Sequence, residues 1–418
     1  MALLFLCLIF GTGRTQKIEA AVQNVPESLE EESRLDPGGT DQETERAAVR
    51  EKKGQQEKEA GDTETDQAAA AQDELLAELD FDAIQQEVDS LLSSQQFSFA
   101  GTVRSLLQDG DPFRTFRAGN AVLSCAKTAF LAQKGLMKEL FLLVLAGAVL
   151  GSFSSLFEGK QVRDASFYMV YLLALALILK NFQSSGENLK AVITSLVAFM
   201  RILTPSYYLS AAAAGGASSA VMFYQMLLLV ILAVEKLLLA LVLPMIHIYL
   251  LIALVNDLSG EEILSHMTEL LETCVNGLLK SSLGVLVGMQ MIRNLIAPAL
   301  DSLRQMALWR TAGMIPGIGN AVNAVTELVA GSAVLIRNCF GVTAMLVLLA
   351  AGMVPAVQLL VSGLSFRLLA AAAQPVSDKR IAGCLAAAGK GYAMLLRLLL
   401  TVEVLFLLTI AILAGTFS

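Results

Sequence analysis

The chain has 418 residues, of which 55% are hydrophobic and only 16% charged, with a mean hydropathy of +0.62. Its apolar residues are bunched into runs too long and too many to hide in one aqueous core, which excludes a purely soluble globular chain. The formal charge of −8 is local, because 21 acidic and 6 basic residues fall between positions 20 and 90, against 17 acids and 24 bases elsewhere.

Residues 1–20 open with ALLFLCLIF, an apolar run too short to span about 30 Å of hydrocarbon and of the length of a secretory h-region. A signal peptide or leader is the expectation, cleaved near Ala20–Ala21, although the usual basic start is missing. Residues 21–72 are rich in Glu, Asp, Gln, Thr and Gly and hold no aromatic residue. Such a stretch cannot bury enough apolar surface to offset the cost of ordering it, so a disordered acidic arm is expected.

Residues 73–138 read as a small extracytoplasmic helical region. Leu75, Leu76, Leu79, Ile84, Val88, Leu91 and Leu92 recur at helical spacing, and Val103, Leu106 and Leu107 carry a second amphipathic stretch. Gly110–Asp111–Pro112 breaks the pattern before a third run, Ala118–Gly135. The apolar faces must be covered by lipid, by the chain itself or by another chain.

Residues 139–418 read as a polytopic membrane domain. Glu139–Phe157, Ala165–Leu179 and Ala191–Tyr208 are expected spans, separated by the basic EGKQVRD and by a polar stretch. Gly215–Val255 is long enough for two, and two are expected rather than one bent one. Gly341–Ser362, with Pro355 inside, and Ala393–Gly415 are clear spans, and the total expected is seven or eight. Residues 283–340 differ: their apolar stretches are short and rich in Gly, Ser, Asn and Thr, which suits re-entrant segments or buried polar helices. Lys160 and Arg163 mark one cytoplasmic loop, and Lys379, Arg380 and Lys390 another, which places the N-terminal arm outside the cytoplasm.

Chemistry-bearing motifs are scarce. No basic stripe interleaved with aromatics occurs, so no nucleic-acid partner is expected. A phosphate-cradling G-x-x-x-x-G-K-[ST] loop is absent, as are H-E-x-x-H and G-x-S-x-G. With two histidines and five scattered cysteines no metal set can be assembled, and neither a cofactor nor catalytic residues are expected. His247 reads as a hydrogen-bonded structural histidine, and PGIGN at 316–320 as a turn or broken helix. Ionisable residues at membrane depth say more, since a charge in hydrocarbon must be paired or wet. Glu327, Arg337, Arg367 and Glu403 are therefore the candidate assembly or conduit residues, with Pro316, Gly317 and Gly319 at the turn. Glu403, deep in the last span, suits a counterion for an arginine, whereas Lys236 and Arg397 suit helix ends where a cation snorkels.

From Gln290 the chain reads QMIRNLIAPALDSLRQMALWRTAGMIPGIGNAVNAVTELVAGSAVLIRNCFGV, then QPVSDKRIAGCL. Pro298 with Asp301, Arg310 before Gly313, Pro316–Gly317 with Gly319, Glu327, Gly331–Ser332, Arg337–Asn338, Gly341, and Gln374–Pro375 followed by Ser377–Asp378–Lys379–Arg380 form one pattern. Across roughly residues 73–418 this resembles the stage III sporulation protein AE family of endospore-forming bacteria. The resemblance implies a non-enzymatic subunit of a secretion-like channel complex, built with other polytopic subunits and an ATPase subunit. It also implies a place in the mother-cell membrane around the forespore, and a need for the protein after engulfment. The competing expectation is a stand-alone secondary transporter, with broken helices near 283–300 and 313–336 around a midplane site.

Overall fold

Helices are the whole of the regular structure among the described residues. A computed structural model describes residues 80–92, 97–109, 118–154, 160–213, 218–259, 264–312 and 319–415, and no strand occurs among these described residues. The leader 1–20 and the arm 21–72 lie outside them. The elements are α1 (Phe81–Leu91), α2 (Phe99–Asp109), α3 (Ala118–Ser154), α4 (Lys160–Ala213), α5 (Ser218–Leu237), α6 (Leu243–Ser259), α7 (Ser265–Ala312), α8 (Gly319–Ala373) and α9 (Lys379–Gly415). A π-helical segment, Leu238–Val242, joins α5 to α6.

The two short helices form as their sequence spacing dictates. Asp80 caps α1 by accepting a hydrogen bond from the Ala83 amide at 3.1 Å, and Ile84, Val88 and Leu92 fall one above another on its buried face. Gln85 ties α1 to α2, accepting from the Phe99 amide at 2.8 Å and donating to the Phe97 carbonyl at 2.7 Å. The question of what covers these faces has an answer within the chain: α1 lies on α4 and α2 on α8. Phe99 meets Phe340 of α8 edge-on at 5.0 Å between centroids, with Phe81 at 6.3 Å from both rings.

α8 and α9 form the most extensive pair, with α3 and α4 laid on α8, α4 and α6 on α9, and α7 on α6. Gly147 of α3 faces Val170 of α4 and Ile381 of α9, and this marks one end of the bundle. Phe340 with α1 and α2 marks the opposite end.

Among the described residues five helices are long and apolar enough to cross a membrane: Phe167–Thr204, Leu228–Ser259, Ser265–Met289, Val334–Ala373 and Lys379–Ala411. The expected seven or eight is not reached among these residues, and part of the difference is helix continuity. Ala165–Leu179 and Ala191–Tyr208 are parts of one helix, α4, of 54 residues, because the polar residues between them keep the 3.6-residue period with Phe182 and Leu189 buried on the inner face. Gly215–Val255 is likewise one run from Ser218 to Ser259 rather than two. Pro244 cannot donate to the carbonyl four residues back, and the π segment just before it absorbs the misfit, with the Leu243 amide bonded to the Leu238 carbonyl. The break expected near 283–300 falls inside the continuous α7, and 283–340 comprises the end of one long helix and the start of another.

Candidate functional site

Of the expected site residues, Arg337, Arg367 and Glu403 do not converge. Pro316 and Gly317 lie outside the described residues, Gly319 is the first residue of α8, and Glu327 lies in its first turns. Arg337 is 1% exposed, one turn before Phe340. Arg367, thirty positions further along α8, is exposed, with its stem against Gly389 of α9. Glu403 is 7% exposed and lies directly on Gly352 of α8, with no room for a Cβ there. Gly352 stands about 22 Å along the helix from both Arg337 and Arg367, at 1.5 Å per residue. Glu403 therefore sits four turns from either arginine. Arg397, read as a helix-end cation, lies inside α9 and donates from Nη1 to Oδ1 of Asn276 on α7 at 3.0 Å.

What the fold does bring together is a polar and aromatic knot at mid-helix, built from α4, α6, α8 and α9. Tyr392 of α9 accepts a hydrogen bond on its hydroxyl from the Asn181 amide at 2.6 Å, and Ser185 Oγ lies 3.3 Å away. The Tyr392 ring stacks on Phe366 at 5.2 Å and meets Phe182 edge-on at 5.2 Å, and Phe182 in turn meets His247. His247 donates from Nδ1 to the Leu243 carbonyl at 2.9 Å, since a carbonyl can only accept; this is the structural role expected of it. Glycines make the approach possible: a Cβ on Gly186 would meet the His247 ring at 2.5 Å, and one on Gly391 would meet Phe182 at 3.0 Å.

Nearer the first end is a second cluster. The Tyr171 hydroxyl donates to the Leu254 carbonyl at 2.6 Å. Arg380 donates to the Leu258 carbonyl at 3.4 Å and lies 5.4 Å from the centre of the Phe167 ring. The Asp257 carboxylate fills the space beside Gly383, 3.1 Å from where its Cβ would stand. These contacts close the C-terminus of α6 against the starts of α4 and α9.

Both clusters escaped the sequence reading. Tyr392 and Asn181 are 211 positions apart, and a neutral tyrosine or asparagine has no motif to betray it. The signal that existed was glycine spacing: Gly389 and Gly391 precede Tyr392, and Gly186 follows Ser185. Among the described residues no group of three or more His, Cys, Asp or Glu could hold a metal ion. The arrangement binds helices to one another; it offers no nucleophile–base pair.

The model of the family described as stage III sporulation protein AE matches residues 97–416. A protein of Bacillus subtilis (strain 168) called "Stage III sporulation protein AE" is 22% identical over 291 residues, covering 69% of this chain and 73% of that protein. No solved structure matches the chain.

Proposed function

The chain belongs to the stage III sporulation protein AE family, and on that premise we propose that it is a membrane subunit of a sporulation channel complex linking mother cell and forespore. The observation that carries this is the family match over 97–416, which takes in every candidate span. The partners are other polytopic subunits and an ATPase subunit, because this chain holds no phosphate-cradling loop to drive transport. It sits in the mother-cell membrane around the forespore. Charge supports its orientation: Lys379 and Arg380 stand at one end of the bundle, read as cytoplasmic, while α1 and α2 stand at the other, outside it.

Deletion of the gene tests the reading. Development should stop after engulfment while vegetative growth is unchanged, and a normal yield of heat-resistant spores would refute it. The stand-alone transporter has lost one of its motives, since α7 runs unbroken through 283–300. Uptake of a solute by the purified protein alone would restore it.

A further inference from the structure

α4 carries an exposed polar stripe where a lipid-facing helix should be apolar. Lys180, Gln183, Ser184, Glu187, Lys190 and Thr194 are all exposed and follow the 3.6-residue period, so they line one face. Arg201 continues the same line two turns on, and it too is exposed. Phe182, Leu189, Ile193 and Leu196 on the opposite face are buried. From Lys180 to Arg201 the stripe measures about 31 Å, close to the roughly 30 Å of a hydrocarbon core.

Its depth is set by packing, not by hydropathy. The run Leu237–Val255 of the neighbouring rod contains no charged residue, and His247 stands near its middle. The His247 ring lies against Gly186 and Phe182 of α4. The Gly186 level of the stripe therefore stands with the middle of the most apolar span. Lys190, about 6 Å along the helix from that level, is too deep to reach either headgroup layer by extending its stem. Gln183 donates to Glu187 Oε1 at 3.2 Å along the stripe itself. Glu235 of α5 lies within electrostatic reach of Arg201, so Lys180, Lys190 and Arg201 meet two acids, Glu187 and Glu235. A surplus of one base keeps the face positive, and a dry protein contact would have to match it with a buried acid.

We propose that this face of α4 is the wall of a water-filled passage that other membrane chains of the assembly close, and that the passage favours anionic solutes. The proposal rests on the membrane-assembly reading. Its test reads labelling, not spore yield, so the two can fail separately.

Single cysteines at Ser184, Ala191 and Thr194 in a cysteine-free background, in membranes from sporulating cells, are exposed to membrane-impermeant methanethiosulfonates of either charge. The expected result is reaction at all three at least tenfold faster than at Ile248→Cys, which is exposed at the same depth on α6. The anionic reagent should outpace the cationic one by more than it does at the exposed Gln374→Cys. In the unsubstituted protein, Lys180 and Lys190 should acylate with sulfosuccinimidyl acetate, a check that needs no variant to fold. Silence along the stripe would mean a dry contact and would overturn the proposal. Equal reaction at Ile248→Cys would place the whole level outside the bilayer, with the same consequence. A faster cationic reagent would overturn the preference for anions.

Discussion

Neutral polar side chains hold the middle of this bundle together. A buried hydroxyl among apolar helices is stabilising only if bonded, and Thr343, Thr401 and Thr409 each bond the carbonyl four residues back at 2.7–2.8 Å. Tyr392 goes further by taking its partner from another helix. Tyr392→Phe leaves the Asn181 amide without that acceptor and should cost about 1–2 kcal/mol, read as a lowered thermal midpoint in detergent. Gly186→Ala drives a methyl group into the His247 ring and should cost about 1–3 kcal/mol. The double variant with His247→Ser should recover part of that loss; equal or greater damage would mean the two do not touch. The charged residues were legible in the sequence because burying them is expensive, and Arg337 and Glu403 are indeed buried. That cost reveals depth but not company. The sequence therefore pointed to buried charges without saying that Glu403 would lie on Gly352, or that Asn181 would find Tyr392.

At the scale of the helix, periodicity outranked composition. Lys180–Lys190 looks like a loop by polarity, yet it is helical, since alternate sides of it face the core and the exterior. Pro244 and Pro298 likewise look like breaks, and both lie within continuous helical runs; the first is accommodated by a π-turn. α1 and α2 were found at the sequence level, but not their docking site, which depends on a phenylalanine 241 positions from Phe99. Phe340→Ala removes the ring that both helices share and should cost about 3–5 kcal/mol. Limited proteolysis should then cut between α1 and α3 while the α8–α9 pair stays intact. Unchanged cleavage would mean that α1 and α2 do not rely on α8.

For the whole molecule, the parity of the crossings is the informative quantity. Among the described residues six rods run between the two ends, alternating in direction: α3, and beside it α4, α5–α6, α7, α8 and α9, which carry the five candidate spans. α9 runs from Arg380 beside Leu258 towards Glu403 on Gly352, and so ends on the side where Phe340 holds α1 and α2. A tag at the C-terminus and one at residue 80 should therefore be reached by impermeant reagents from the same compartment. Labelling from opposite sides would require an odd number of crossings.

The three-ring contact of Phe81, Phe99 and Phe340 also decides how the molecule bears load. Anything that grips the chain upstream of Asp80 pulls on α1. Because Gln85 couples α1 to α2, the force passes to both helices before it reaches α8. The rings then resist as a latch sheared across its face, not as a zipper peeled from one tooth. Tension applied there would arrive at the α8–α9 pair, the most extensively packed pair of helices, without unravelling what lies between.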